Sequence, residues 1–397
     1  MSEDMQKRFD GALKRFVTAM KNEKPDRVPV RMYAAEFVAD YAGYDIQQVT
    51  HDYDNAFKAT RKAAKELGWD ATVPNMIYAW GGLVDHFGQK YYKLPGIELP
   101  TDVGFQYIEP VDEEGAHMKA DEYDQLIESP TEFLANVWIP RISENLVGLG
   151  EPSTYRNNMA WLKGGISMMH YDAETGRNIG LLQSEAGTVC AVSGILKAPF
   201  DILADKLRGF RQVAYDTYRQ PDKVLKAVEA LQPYLFQNAM YYADPNENLP
   251  VGLWLHRGTL FSDEMYQKFF WPTLKEILIE LYKNGHQTMW YGEGNWQQWL
   301  KYTKELPDGC IIYHVDQEDI FEAHKILGDK FCISGGIPND LLAFGTPQEV
   351  KDYCKKIIQT VGKDGGYILD ASAIMQNDAK VDNVRAITEA ALEYGVY

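Results

Sequence analysis

Two side chains in this sequence have the chemistry and the spacing to act together: Glu293 in Trp290-Tyr291-Gly292-Glu293-Gly294-Asn295 and His314 in Ile312-Tyr313-His314-Val315-Asp316. A carboxylate oxygen and a neutral imidazole nitrogen suit Zn²⁺, and a third ligand beside an open position makes such a site catalytic rather than structural. The glycines flanking Glu293 let the backbone turn sharply and leave its carboxylate facing outward. Asp316 lies two residues beyond His314, on the same face of a strand. His256, in Leu255-His256-Arg257-Gly258, is a candidate for proton transfer or ligation, and Asp370 ends Tyr367-Ile368-Leu369-Asp370. Each has a structural alternative. Glu293 can cap a helix starting near Trp296, His314 can be a buried hydrogen-bonded histidine, His256-Arg257 can serve a salt bridge or the core, and Asp316 and Asp370 can orient His314 or hold loop amides. Trp254, Trp290, Tyr291, Trp296 and Trp299 crowd the same region, either as core or as the wall of a pocket for a flat apolar ligand.

These residues need rigid elements to position them. Short apolar runs alternate with amphipathic stretches in the second half, which predicts strands at Leu249–His256, Gln287–Gly292, Cys310–Val315, Phe331–Gly335 and Tyr367–Asp370. Helices are predicted at Ser262–Asn284, Trp296–Glu305, Asp319–Leu327, Pro347–Val361 and Val381–Tyr394. Ser262 before Asp263 and Glu264, and Thr346 before Pro347 and Glu349, are helix starts, and Gly285 and Gly328 stand where a left-handed residue often ends one. Strand and helix alternating in this way call for parallel pairing. The sequence therefore predicts an α/β fold, a (β/α)₈ TIM-type barrel with insertions over its C-terminal mouth, where polar strand-end residues do the chemistry. A doubly wound sheet is the rival, without the G-x-G-x-x-G that usually marks it.

The first half is less regular. A helix over Asp4–Asn22 precedes a first barrel strand in Arg27–Tyr33, with helices at Ala35–Ala42 and Asn55–Leu67. Gly164-Gly165-Ile166-Ser167-Met168-Met169 and Gly187–Gly194 have strand-like or loop-like content. Residues 1–397 are read as one barrel domain, with an insertion-rich stretch at about 95–160 that is dense in Asp, Glu, Pro and Gly.

Composition narrows the partners. With 40 Lys and Arg against 57 Asp and Glu, the net charge of −17 repels nucleic acid and anionic membrane surfaces. Four cysteines, Cys190, Cys310, Cys332 and Cys354, show no paired spacing, so a disulfide scaffold is not expected. No apolar stretch suits export or membrane spanning, and a cytoplasmic location follows as an expectation.

At these residues the chain resembles the uroporphyrinogen decarboxylase superfamily, specifically its corrinoid-dependent methyltransferase branch. Arg27-Val28-Pro29-Val30 is similar to the family's opening strand, and Met118-Lys119-Ala120-Asp121-Glu122-Tyr123-Asp124 resembles a segment of its anaerobic methyltransferases. So do Phe344–Val350, Gly362–Leu369 and Asp378–Arg385. Thiol-activating members hold zinc with H-x-C-G-N at a strand end and a late cysteine. Here the matching stretch is Tyr291-Gly292-Glu293-Gly294-Asn295, and Ala373 stands near the late cysteine. Glu293 and His314, with twenty residues between them, instead resemble the zinc pattern of the ether-cleaving, O-demethylating members. That pattern has another glutamate before the first, with fourteen residues between them. Leu278 stands there, with Glu276 and Glu280 nearby, which leaves His256 or Asp316 to supply the third ligand.

The resemblance implies a methyltransferase that moves a methyl group from an O-methyl compound, preferably an aryl methyl ether, to the cobalt(I) corrinoid of a partner protein. Zinc on Glu293 and His314 would act as Lewis acid, with Tyr291 near the substrate oxygen and His256 and Asp316 as further catalytic residues. Alternatives are a metal-free lyase like the tetrapyrrole decarboxylase, a methyltransferase delivering to a thiol or folate, and a non-catalytic corrinoid-binding scaffold.

Overall fold

The computed structural model describes residues 2–79 and 84–397. Its strands in chain order are β1 (Arg31–Met32), β2 (Ala71–Thr72), β3 (Tyr92–Lys93), β4 (Gln106–Tyr107), β5 (Val189–Cys190), β6 (Gly194–Leu196), β7 (Val251–Leu255), β8 (Thr288–Gly292), β9 (Ile311–Val315), β10 (Cys332–Gly335) and β11 (Tyr367–Ile368). Strands β3 and β4 form an antiparallel hairpin. The rest run parallel, in the orders β1-β2-β5 and β6-β7-β8-β9-β10-β11. Only residues 191–193 separate β5 from β6, so the two are one interrupted stave, and a parallel bridge from Val30 to Leu369 closes the ring. The result is an eight-staved (β/α)₈ barrel.

Period-two alternation sorts its side chains. Met289, Tyr291, Ile312 and Cys332 face the lumen with Ala71 and Val189, whereas Trp290, Tyr313 and Ile333 pack outward against the helices. Ala12, Phe16, Ala19 and Met20 of the helix Glu3–Met20 join the lumen cluster, so this helix stoppers the N-terminal end. Polar lumen residues are left at the other end.

The second half follows the predicted boundaries closely. Ser262 accepts from the Met265 amide, and Thr346 with Glu349 forms a capping box. Gly285 is left-handed (φ +89). Gly328 is not; at φ −67 it continues the helix turn. The strand-like or loop-like reading of Gly164–Met169 is overturned: the segment lies inside the helix Tyr155–Leu181. Gly164 there is a packing notch rather than a break, because an added Cβ would run into the Phe87 ring. The helices Phe210–Arg219 and Pro221–Tyr242 were not foreseen.

The insertion-rich stretch packs beside the mouth. Glu113 pairs with Arg208 at 2.8 Å, Glu109 with Arg257 at 2.9 Å, and the Met118 amide donates to the Leu207 carbonyl at 2.9 Å. All four cysteines are free and buried. Among the described residues no helix is long and apolar enough to cross a membrane.

Candidate active site at the barrel mouth

Neighbouring staves bring the polar residues together in two layers. Trp254 on β7 is opposite Tyr291 on β8 in register. Two residues further along the same faces come His256 and Glu293, about 7 Å nearer the mouth at roughly 3.3 Å per residue. Tyr33 joins the lower layer from the first stave, its ring centroid 5.3 Å from that of Tyr291 and 6.4 Å from that of Trp254. The His314 ring stacks on Tyr291 at 4.5 Å. The floor is thus aromatic and the rim ionic.

Beneath the floor Arg31 is fully buried and spends its donors on four staves: Asp370 at 3.0 Å, Met289 Sδ at 3.1 Å, His314 Nδ1 at 2.9 Å and Ser334 Oγ at 3.1 Å. Burial pushes the Asp370 carboxyl up to about 6, while the Arg31 guanidinium pulls the other way. The other His314 nitrogen, Nε2, is 2.8 Å from the Ser372 carbonyl. Burial, reinforced by the Arg31 charge, drives the imidazole pKa well below its ordinary value, so the ring is neutral. The network assigns its proton to Nε2, which donates to Ser372, while Nδ1 accepts from Arg31. Gly335 (φ +82) makes room for the ring: an added Cβ would sit 2.7 Å from His314 Cε1 and 2.6 Å from the Val315 carbonyl.

The rim is built on His256. Asp205 Oδ2 lies 2.6 Å from His256 Nδ1, and Glu293 Oε1 lies 3.6 Å from Nε2. Lys197, just past β6, brings its ammonium to 3.1 Å from Nε2 and 3.5 Å from Asp205. Asp201, fully buried, accepts from the backbone amides of His256 and Arg257 at 3.0 and 3.1 Å and so fixes the turn after β7. Arg257 Nε bonds Asp205 at 2.7 Å. Burial and the neighbouring Asp205 raise the Asp201 pKa. For Asp205 burial also acts upward, but the His256 hydrogen bond and the charges of His256, Lys197 and Arg257 overcome it and lower the pKa.

Asp316 supports this rim from the neighbouring stave. Its Oδ2 accepts from the Gly294 amide at 2.7 Å, holding the turn (Gly294 φ +95) that carries Glu293. Burial pushes its carboxyl up to about 6 against that hydrogen bond. Because the folded pKa exceeds the unfolded one, the protonated group favours folding. The contribution is complete below about pH 4 and is lost as pH rises through about 6. Asp316→Asn keeps the acceptor and removes the charge. The variant should be about 1 kcal/mol more stable than wild type at pH 8, a value discounted for partial exposure, and equal to it below pH 4, as read from urea midpoints.

The family model for uroporphyrinogen decarboxylase (URO-D) matches residues 12–77 and 173–394, more than half of the sequence. The chain belongs to the URO-D family. No curated protein matches it. Among solved structures with a similar fold is a methyltransferase from Methanosarcina mazei, 17% identical over 96% of this chain and 98% of that one, with a TM-score of 0.60. The match to the URO-D model skips residues 78–172, the region of the β3–β4 hairpin and of the predicted insertion.

The zinc pattern that the resemblance to this family suggested does not fit these residues. A metal at His314 Nδ1 would stand where the Arg31 guanidinium stands, and one at Nε2 would displace the Ser372 carbonyl. Glu293 faces His256 instead, and the Lys197 ammonium already occupies the space beside His256 Nε2. Leu278 is buried on the helix Trp271–Lys283 outside the barrel, with Glu276 and Glu280 exposed there, remote from the mouth. Among the described residues no three His, Cys, Asp or Glu side chains converge as a metal requires.

Of the sequence candidates, His256 and Glu293 meet at the rim, Tyr291 and His314 form the floor, and Asp316 and Asp370 hold backbone amides. Trp290, Trp296 and Trp299 are core: the Trp299 and Tyr266 rings stack 4.1 Å apart behind the staves. Sequence reasoning missed Lys197, Asp201, Asp205, Arg31 and Tyr33. The signals were a lysine immediately after a strand, two aspartates a turn apart after Ala198-Pro199, and the alternation Arg31, Tyr33 along the first stave.

Proposed function

We propose that this URO-D family barrel is a methyltransferase that cleaves an O-methyl compound, with the Lys197–His256 pair protonating the departing oxygen. The observation that carries this reading is a hydrogen-bonded Lys197–His256–Asp205 array one layer above an aromatic floor. An aryl methyl ether is the donor that an acid above an aromatic floor would suit, and ethers are unreactive mainly because phenolate leaves reluctantly. As the methyl carbon–oxygen bond breaks, its electron pair stays on oxygen. A proton from the Lys197–His256 pair then yields the neutral phenol. Asp205 fixes the imidazole orientation and offsets the charge that builds on it. Glu293, on the solvent side of His256, offers the route for re-protonation from water. A cobalt(I) corrinoid carried by a partner protein would supply the nucleophile that takes the methyl group. The fold shared with a methyltransferase from Methanosarcina mazei supports the same reaction class.

The test is incubation of the purified protein with cob(I)alamin and a panel of methoxylated aromatics, with the demethylated phenols measured by chromatography. Phenol formation dependent on both protein and cob(I)alamin is expected. No phenol from any ether, together with carbon dioxide release from a porphyrinogen, would replace this reading with a lyase.

A further inference from the structure

We infer that the hydroxyls of Tyr33 and Tyr291 form a paired donor subsite for a neutral acceptor oxygen on the substrate, at the end opposite its methoxy group. This deepens the reading above and rests on it. Both tyrosines are 1% exposed, and neither hydroxyl has a hydrogen-bond partner among the described residues. Leaving one buried hydroxyl unpaired costs about 1–3 kcal/mol, so two of them on rings whose centroids lie 5.3 Å apart in one layer are an arrangement that a ligand oxygen repays.

The described neighbours are engaged elsewhere. The His314 ring lies flat against Tyr291, with both its nitrogens engaged by Arg31 and Ser372. Arg31 lies under the Tyr33 ring, its Cζ 4.5 Å from the centroid, with its donors directed to other residues. Burial, reinforced by the charges of Asp370, Asp316 and Glu293, raises the Tyr291 pKa far above its ordinary value and keeps the hydroxyl a donor.

Of these carboxylates, Asp316 and Glu293 decide the charge of the ligand. Arg31, the nearest cation, is already neutralised by Asp370 at 3.0 Å. An anionic substituent would therefore meet net repulsion, while a carbonyl or ether oxygen would meet two donors. The backbone of the rim stands about 7 Å above that of the floor, against roughly 6.4 Å between the methoxy and aldehyde oxygens of 4-methoxybenzaldehyde. A para-substituted methoxyarene accordingly places its methoxy group at His256 and its second oxygen between the two tyrosines, with its ring beside Trp254.

Calorimetry on the full-length protein tests this with three probes that differ in one substituent: 4-methoxybenzaldehyde, 4-methylanisole and 4-methoxybenzoate. The aldehyde is expected to bind about tenfold more tightly than either of the others. Tyr33→Phe and Tyr291→Phe should each erase most of that preference without changing the affinity for 4-methylanisole, and their melting temperatures should match or exceed wild type. Equal affinities for the three probes in wild type would overturn the subsite. So would Phe variants that keep the aldehyde preference, which would mean that the hydroxyls serve an internal water only. The readout is binding, so selective aldehyde binding without phenol formation would remove the proposed transfer and leave this subsite standing.

Discussion

His256→Gln should lower kcat for ether cleavage about a thousandfold while the KM of the methyl donor changes little. Glutamine can still bond Asp205 and fill the space above Trp254, but it cannot pass a proton, and positioned acid–base groups commonly contribute about 10²–10⁴-fold. The effect falls on kcat because protonation matters only as charge develops on the departing oxygen. Donors with better leaving groups should lose less, since an acidic phenol needs less help. A nitrophenyl methyl ether and an unactivated one, compared in wild type and variant, provide the check. Equal losses for both donors would show that His256 acts on binding or folding instead.

Arg31→Met should destabilise the fold by about 3–5 kcal/mol, the usual consequence of removing one member of a buried ion pair. Asp370, 1% exposed, would keep its two amide contacts but lose the Arg31 cation, and His314 would lose the donor to Nδ1. With Arg31 present, burial already holds the Asp370 carboxyl at about 6. Without it the folded pKa climbs further above the unfolded one, so stability falls as pH rises toward neutrality and the deficit is larger at pH 8 than at pH 5. Arg31→Met combined with Asp370→Asn should recover part of the loss at pH 8. Urea denaturation at the two pH values measures this, and a deficit independent of pH would point to lost packing rather than an orphaned charge.

The barrel's second half was legible because buried parallel strands are short apolar runs separated by long amphipathic helices, a contrast that survives in the sequence. Staves β7 to β10 lie within two residues of expectation. In the first half the first stave was legible within Arg27–Tyr33, but β1 and β2 pair over two residues each and the third stave is split, so no run there is long enough to show a period. Gly164 and Gly165 looked like punctuation because a glycine cut for a neighbouring ring is indistinguishable in sequence from one cut for a turn. In the site, the strand-end rule found His256, Glu293, His314 and Asp316, because it depends only on where strands stop. Who meets whom was not legible. Glu293 has neighbours on both sides, and its pairing with His256 rather than His314 depends on Arg31, which reaches across the lumen from a stave 283 positions away in sequence to take His314 Nδ1.

The central claim is that a proton from the Lys197–His256 pair drives ether cleavage, with His314 serving as a floor residue locked by Arg31. Its most direct test is the cob(I)alamin-dependent demethylation rate of protein dialysed against a strong chelator, with its zinc content measured alongside. An unchanged rate in zinc-free protein is predicted. A rate abolished by the chelator and restored by stoichiometric zinc, in wild type but not in Glu293→Ala or His314→Ala, would contradict it.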